Sequence, residues 1–182
     1  MDAVTDQINA HHAVHGVLLR VFDTGVLLLG ESGIGKSETA LDLIGKGHQL
    51  AADDSVMLSI INDELTGMSP ELTFEYLEVR GLGILNVREI FGPYSVVRTI
   101  KVDLCIEFVE CERAEAIDRL SVNSSEFILL GKAVPKFVIP VRSGRNLSTL
   151  VETAVRVFVS RGSGSDAGRK LIEKHSSLVR GV

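Results

Sequence analysis

Short apolar segments separated by turn-forming residues dominate this chain, and they predict more strands than helices. Residues 17–21 and 26–29 are two such segments. The stretch 22–25 between them contains an Asp and a Gly, which favour turns, so the two segments predict a β-hairpin. The other segments with strand character are residues 48–52, 56–61, 75–80, 84–87, 96–109 and 133–141. This pattern predicts an α/β domain with a mixed sheet and flanking helices.

Two of these segments support more detailed predictions. Residues 96–109 alternate between apolar and polar positions, which predicts one long strand with a single apolar face. The apolar positions on that face are Ile100, Val102, Leu104 and Ile106. Residues 133–141 contain Pro135 and Pro140. Because proline has no N–H to donate to a neighbouring strand, they predict an edge strand or a strand interrupted at its ends.

Two further segments have the spacing of an amphipathic helix. Residues 38–45 place their apolar side chains on one face, and the glycines that follow favour a helix end. Residues 147–158 have apolar positions at i, i+3, i+4, i+7, i+8 and i+11, the clearest helical pattern in the chain. A break at residues 161–165 is expected to precede a polar helix over residues 167–178.

The segment between the second predicted strand and the first predicted helix fits the pattern G-x-x-x-x-G-K-[ST] in full. Its residues are Gly30, Glu31, Ser32, Gly33, Ile34, Gly35, Lys36 and Ser37. In a phosphate-binding loop, glycines let backbone N–H groups surround a phosphate, the lysine reaches the β- and γ-phosphate oxygens, and the final hydroxyl takes a position on Mg²⁺. The motif in this context predicts binding of ATP or GTP.

Asp53 and Asp54 follow the predicted strand over residues 48–52, shortly after the loop. Because the carboxyl ends of parallel strands meet at one edge of a sheet, the pair is expected beside the phosphates. Adjacent strand residues point to opposite faces, so one carboxylate would face the phosphates while the other holds the loop or a metal-bound water. An Asp pair that simply opens a turn is the alternative.

Three weaker candidates have ordinary structural alternatives. Glu78 and Arg80 flank glycines that allow close backbone approach to a ligand, but they are equally a surface charge pair before a turn. His15 is a candidate ahead of the first strand, or a surface or half-buried histidine. Arg119 is a candidate cation, or an ion-paired surface residue. The residues alone leave these alternatives open.

Composition narrows the class of protein. A chain of 182 residues, 45% of them hydrophobic, suffices for one core. A net charge of −5 gives no basic surface for a nucleic-acid backbone, so no nucleic-acid partner is expected. Cys105 and Cys111 lack other ligands at metal-site spacing and are expected to be buried free thiols. With no signal peptide or membrane-spanning pattern, we expect a cytoplasmic location and no membrane partner.

Together these motifs resemble the catalytic domain of HPr kinase/phosphorylase in residues, order and approximate spacing. The matching segments are residues 15–17, 30–40, 47–54, 77–84, 118–120 and 140–147. The resemblance implies a fold like that of phosphoenolpyruvate carboxykinase. It also implies an enzyme that phosphorylates a serine of HPr, the small phosphocarrier of the bacterial sugar phosphotransferase system. The same enzyme would remove that phosphate by phosphorolysis and so regulate carbohydrate uptake and metabolism.

The resemblance assigns a role to each candidate residue. The loop from Gly30 to Ser37 would hold ATP, and Ser37 and Glu78 would bind Mg²⁺. Asp54 would take the proton from the substrate serine and return one in the reverse reaction. The other implied catalytic candidates are His15, Lys36, Asp53 and Arg119. Residues 78–87 would serve both reactions, whereas the residues acting chiefly in dephosphorylation would be Pro140, Val141, Arg142, Ser143, Gly144 and Arg145.

The implied partners are HPr, inorganic phosphate and pyrophosphate, and the implied assembly is a homohexamer of catalytic domains. The expected division is an N-terminal tail (1–14), the catalytic domain (15–161) and a tail with helical character (162–182). The family commonly has a further N-terminal domain, and both a truncated and a naturally short form are compatible with this sequence. Two other functions stay open: a small-metabolite kinase or carboxykinase, which needs an enclosed acceptor pocket, and a nucleotide sensor without turnover.

Overall fold

The computed structural model describes residues 12–110, 125–142 and 144–163, and strands outnumber helices in these ranges. The strands are β1 (His12–His15), β2 (Val17–Val21), β3 (Thr24–Gly30), β4 (Gln49–Ala52), β5 (Ser55–Ile61), β6 (Glu64–Met68), β7 (Tyr76–Val79), β8 (Gly83–Asn86), β9 (Thr99–Lys101), β10 (Leu104–Glu110), β11 (Ser125–Leu129) and β12 (Lys132–Val141). The α-helices are α1 (Lys36–Gly45), α2 (Val87–Phe91) and α3 (Leu147–Gly162). This confirms the predicted α/β class.

The largest sheet is mixed and has the strand order β11-β12-β10-β3-β2-β4. β12, β10 and β3 run parallel, while β2 is antiparallel to both β3 and β4. β3 and β4 therefore run in the same direction, and their carboxyl ends lie at one edge of the sheet. The second sheet is antiparallel, with the order β1-β5-β6-β9, and β7 pairs with β8 alone.

The large sheet lies between two hydrophobic cores. Along β3, Val26 and Leu28 belong to the core formed with α1 and α3, whereas Leu27 and Leu29 belong to the core formed with the four-stranded sheet. A strand covered on both faces needs apolar side chains at every position, which explains the continuous apolar run before the phosphate loop. The result is a layer of helices, the mixed sheet, and a second sheet.

The prediction of one long strand over residues 96–109 is wrong. The chain forms β9 in the small sheet and β10 in the large sheet. Ile100 and Val102 pack in one core, and Leu104 and Ile106 pack in the other, so the four side chains do not share a face. Asp103 marks the crossing, where its carboxylate and backbone N–H both bond to the backbone of Gly25. The alternation of apolar and polar residues continues through this crossing because the segments on both sides of it are strands.

Of the two alternatives for residues 133–141, the edge position is wrong, whereas Pro140 does lie next to the end of the strand. β12 is continuous and lies between β10 and β11. Pro135 lies opposite Glu126 of β11, and Pro140 lies opposite Val109 of β10. Each proline removes one N–H from the ladder, but partner strands on both sides supply the remaining bonds. The edge strand on this side of the sheet is β11, which the hydrophobic pattern did not indicate.

Several boundaries differ because local geometry decides them. The hairpin turn consists of Phe22 and Asp23 alone, both with positive φ, so β3 begins at Thr24. β1 includes residues 12–14, which the sequence placed in the N-terminal tail, and pairs with β5. Helix α2 replaces the end of a predicted strand, and the Asn86 side chain caps it by accepting from the N–H of Glu89.

Among the described residues, no helix is long and apolar enough to cross a membrane.

Cys105 should be inert towards alkylating reagents in the folded protein. Its side chain is fully buried, and burial raises the pKa of the thiol to about 12, so the reactive thiolate is scarce at pH 8. This confirms the sequence prediction for Cys105, whereas Cys111 lies outside the described residues. Treatment with iodoacetamide and peptide mapping should find Cys105 modified only after denaturation. Modification in the native chain would contradict this packing.

Candidate active site

The phosphate loop joins β3 to α1, as the sequence predicted. Gly35 has φ 107° and forms the N-terminal boundary of α1, so backbone N–H groups at the helix start are directed towards the loop cavity. Gly30 lies so close to β10 that an added Cβ would be 2.6 Å from the carbonyl oxygen of Phe108. Glycine is therefore required at both points by the backbone path itself.

Lys36 holds this loop in shape from within. The residue is only 6% exposed, and its Nζ donates to the carbonyl oxygens of Gly30 and Glu31, both at 2.9 Å. Burial lowers the pKa of Lys36, while the nearby carboxylates of Asp53 and Asp54 act in the opposite direction. The ammonium thus lies inside the loop, at the position from which it reaches bound phosphates.

Asp53 connects three elements of the site. Its Oδ1 accepts a hydrogen bond from Ser37 Oγ of α1, and its Oδ2 accepts one from the backbone N–H of Glu78 in β7, both at 3.0 Å. Burial raises the pKa of Asp53, and these hydrogen bonds act against that rise. Asp53 therefore positions the two residues predicted to bind Mg²⁺.

Asp54 faces solvent beside His15. Its backbone has φ 63°, and its side chain is 78% exposed. His15 Nδ1 lies 3.1 Å from Asp54 Oδ1 and 3.0 Å from the Asp54 carbonyl oxygen. The N–H of Gly16 also donates to that carbonyl, at 3.2 Å. The two carboxylates diverge, as expected, but the cause is a left-handed turn after β4 rather than strand alternation.

The cavity beside the loop has a volume of about 210 Å³. The predicted site residues that line it are His15, Ser32, Gly33, Gly35, Lys36, Ser37, Asp53, Asp54 and Glu78. We call this cavity the phosphate pocket. The phosphate pocket thus brings together residues from β1, the phosphate loop, the end of β4 and β7, which are far apart in sequence.

Arg80 also lines the phosphate pocket, although no individual role was assigned to it from the sequence. A Cβ added to Gly33 would lie 3.2 Å from Arg80 Nη2, so the guanidinium covers the phosphate loop. The Glu-x-Arg-Gly sequence was the available signal, but it does not tell which way the side chain points. A second cation therefore accompanies Lys36 at the phosphate position.

Oxygen donors suited to Mg²⁺ are present in this pocket. Ser37, Asp53 and Glu78 all line it. Among the described residues, no group of three or more His, Cys, Asp and Glu side chains is arranged to hold a metal ion by itself. Mg²⁺ commonly binds through one or two carboxylates together with substrate phosphates and waters, so the residues present fit it.

The predicted dephosphorylation loop begins at the end of β12, which includes Pro140 and Val141, and it precedes α3. Arg145 bonds back to this strand through Nη1 and the carbonyl oxygen of Pro140, at 3.4 Å. The Asn146 side chain caps α3 by accepting from the N–H of Thr149. A Cβ on Gly35 would lie 3.5 Å from Leu147 Cδ1, so the start of α3 packs against the phosphate loop.

Among the described residues, the other predicted site residues do not line the phosphate pocket. Arg142, Gly144 and Arg145 lie outside its lining. Arg119 and Ser143 fall outside the described residues. Three residues of the phosphate loop line a separate groove on the β10 side; they are Gly30, Glu31 and Ile34.

Comparison with known proteins finds one consistent family. The family model described as HPr Serine kinase C-terminal domain matches residues 6–175. HPr kinase/phosphorylase of Chromobacterium violaceum is 46% identical over 170 residues, which are 92% of this chain and 54% of that protein. HPr kinase/phosphorylase of Thermoanaerobacter sp. is 45% identical over 162 residues, which are 88% of this chain and 53% of that protein.

Comparison with solved structures indicates the same family. The Hpr(Ser) kinase/phosphatase from Coxiella burnetii superposes with a TM-score of 0.80 at 37% identity, covering 88% of this chain and 98% of that one. The chain spans about half the length of the curated relatives it matches. The match of sequence, topology and phosphate loop shows that this chain belongs to the HPr serine kinase C-terminal domain family.

Proposed function

We propose that this chain is the catalytic region of an HPr serine kinase/phosphorylase that uses ATP and Mg²⁺. The observation that carries the proposal is the convergence of Lys36, Ser37, Asp54 and Glu78 on one pocket beside the phosphate loop. These residues supply a cation for the phosphates, oxygen ligands for a metal, and a carboxylate for the acceptor. The relatives named HPr kinase/phosphorylase support the same substrate and both directions of reaction.

In phosphorylation, Asp54 takes the proton from the serine hydroxyl as that oxygen attacks the γ-phosphorus of ATP. The bond from the γ-phosphorus to the β–γ bridging oxygen breaks, and ADP leaves. Lys36 and Arg80 balance the charge of the moving phosphoryl group from the loop side. Mg²⁺ bound to Ser37 and Glu78 would neutralise the phosphate oxygens and fix their orientation.

In phosphorolysis, an oxygen of inorganic phosphate attacks the phosphorus of phosphoserine. The serine oxygen leaves and takes the proton held by Asp54, and pyrophosphate forms. His15 positions Asp54 for both directions through its contacts with the Asp54 side chain and carbonyl oxygen. One carboxylate thus serves as base and as acid, as microscopic reversibility requires.

Asp54 and His15, which would face the phosphate acceptor, are exposed, and this favours a protein substrate over a small metabolite. The side chains of Asp54 and His15 are 78% and 53% exposed. A metabolite kinase gains from enclosing its small acceptor, whereas a serine on a folded protein needs an accessible carboxylate. The exposed position of Asp54 fits the second case.

The direct test is an assay of the purified chain with ATP, Mg²⁺ and HPr, followed by addition of inorganic phosphate. Mass spectrometry should detect phosphoserine on HPr in the first step, and its loss with release of pyrophosphate in the second. Phosphorylation of small acceptors without HPr modification would favour the metabolite kinase. Nucleotide binding without any turnover would favour the sensor.

Arg145→Ala should reduce phosphorolysis of phospho-HPr more than it reduces phosphorylation of HPr. We assign Arg142 and Arg145 to the seating of phosphoserine or inorganic phosphate, since guanidinium groups bind such anions well. Both rates should be measured on one preparation together with thermal melting. Arg98→Ala is the control, because Arg98 is also an exposed arginine and does not line the phosphate pocket.

Equal losses in both directions, accompanied by a lower melting temperature, would show that Arg145 has a structural role instead. Arg119 belongs to the same proposed active site by resemblance. Assembly as a homohexamer, a cytoplasmic location and a role in carbohydrate regulation also stay predictions of that resemblance.

A further inference from the structure

A second concave surface lies on the opposite side of the phosphate loop from Asp53 and Asp54. It has a volume of about 280 Å³ and is lined by loop residues Gly30, Glu31 and Ile34 and by residues 107–110 of β10. We call it the β10 groove. Nothing in the reaction described above uses it.

Strand order places the β10 groove and the phosphate pocket on two sides of β3. β10 is the neighbour of β3 on one side, and β2 followed by β4 lies on the other. Gly30 and Phe108 are register partners, so the groove begins where the phosphate loop leaves the sheet. Asp53 and Asp54 follow β4 and lie on the far side of the loop.

This arrangement constrains how a nucleotide lies in the loop. The γ-phosphate must face Asp54 for the acceptor oxygen to reach it, so the rest of the nucleotide extends away from that side. The carboxyl end of β10 lies next along the same edge of the sheet, where ligands of open α/β sheets bind. The β10 groove is therefore a concave surface available to the nucleoside.

The chemistry of the groove suits a nucleoside and disfavours a phosphate. Ile34 and Val109 provide apolar surface, since the Phe108 side chain is buried in the core, while the carboxylates at the groove come from Glu31, Glu107 and Glu110. None of the described residues that line it is a cation, whereas Lys36 and Arg80 line the phosphate pocket. Carboxylates accept hydrogen bonds from ribose hydroxyls and repel phosphate oxygens.

We propose that the β10 groove binds the nucleoside of the donor nucleotide, with the base against Ile34 and Val109 and the ribose hydroxyls donating to Glu110. Glu110 is exposed, whereas Glu107 is ion-paired with Lys136 at 2.8 Å. The proposal rests on nucleotide binding at the phosphate loop, which is part of the proposed function. It assigns the triphosphate to the surface that carries Lys36 and Arg80 and the nucleoside to the β10 groove, and this fixes the direction of the nucleotide.

The test compares binding of Mg-ATP with binding of Mg-tripolyphosphate, which has the phosphates but no nucleoside. Calorimetry on the full chain should show tighter binding of ATP. Val109→Trp, which fills the groove, and Glu110→Ala, which removes the ribose acceptor, should each weaken ATP binding about tenfold and leave tripolyphosphate binding unchanged. Glu126→Ala is the control, because Glu126 is an exposed glutamate of β11 outside the groove.

Kinetics provide a second readout that needs no variant of the phosphate pocket. Phosphorolysis involves no nucleoside, so Val109→Trp and Glu110→Ala should raise the KM for ATP about tenfold and leave phosphorolysis at the control rate. The proposal would be overturned if the variants lost phosphorylation and phosphorolysis equally, or if they bound ATP and tripolyphosphate equally weakly. Unchanged ATP binding in both variants would also overturn it. A wild-type chain that shows the binding difference but no turnover on HPr would retain the groove assignment and refute the proposed function.

Discussion

Replacement of Lys36 by alanine should lower ATP-dependent phosphorylation by about 10²- to 10³-fold, the usual effect of removing one donor to a developing charge. The structure provides a second reason for a large loss of phosphorylation. Lys36 Nζ donates to the carbonyl oxygens of Gly30 and Glu31, so the variant also loses the bonds that shape the loop. The hydrophobic cores do not include Lys36, and the chain should still fold.

Steady-state kinetics with HPr and thermal melting should be measured together. Lys46→Ala is the matched control, because Lys46 immediately follows α1 and pairs with Asp42 and Glu152 away from the phosphate pocket. Near-normal activity of a folded Lys36→Ala variant would refute the assignment of the phosphate loop. Unfolding of this variant alone would show that the loop bonds of Lys36 support the whole domain.

Asp54→Asn should lower phosphorylation and phosphorolysis alike by about 10²- to 10⁴-fold, the range for a positioned acid–base group. Asparagine has a similar shape but neither accepts nor returns the proton. Because the Asp54 side chain is 78% exposed, the melting temperature should change little. Rates in both directions at saturating substrates are the measurement that checks this.

Asp53→Asn is the informative partner variant because the two carboxylates have different surroundings. Asp53 is buried and accepts from Ser37 and from the N–H of Glu78. Its replacement should lower the melting temperature and weaken Mg²⁺ binding, since asparagine keeps a single acceptor oxygen and one of the two candidate ligands loses its support. A larger loss of turnover in Asp53→Asn than in Asp54→Asn, with melting unchanged, would show that Asp53 is the acid–base group.

Much of the site was predictable from sequence because its signals are local. The phosphate loop depends on glycines at set positions and on a lysine and a serine at the helix start, and all of these are visible as consecutive residues. The flanking strand and helix follow from apolar patterns with periods that local backbone geometry imposes. The placement of the Asp pair beside the loop was also correct, since β4 runs parallel to β3 in the same sheet.

Other features depend on contacts between distant segments. The chain breaks between β9 and β10 because the two strands belong to different sheets. Apolar and polar residues alternate in the same way on both sides of the break, so the pattern does not reveal the change of sheet. The left-handed turn at Asp54 is supported by His15 and Gly16, which come much earlier in the chain. Arg80 reaches the phosphate loop only because the packing of β7 places it over Gly33.

Local sequence patterns therefore sufficed to predict the fold class and the phosphate loop, and they supplied the candidate residues for its chemistry, because each depends on neighbours along the chain. The tertiary structure decided which carboxylate is buried and which is exposed, and it decided that Arg80 joins Lys36. It also decided that the β10 groove lies across the loop from Asp54. These outcomes are set by strand order and by burial, which result from packing of segments far apart in sequence.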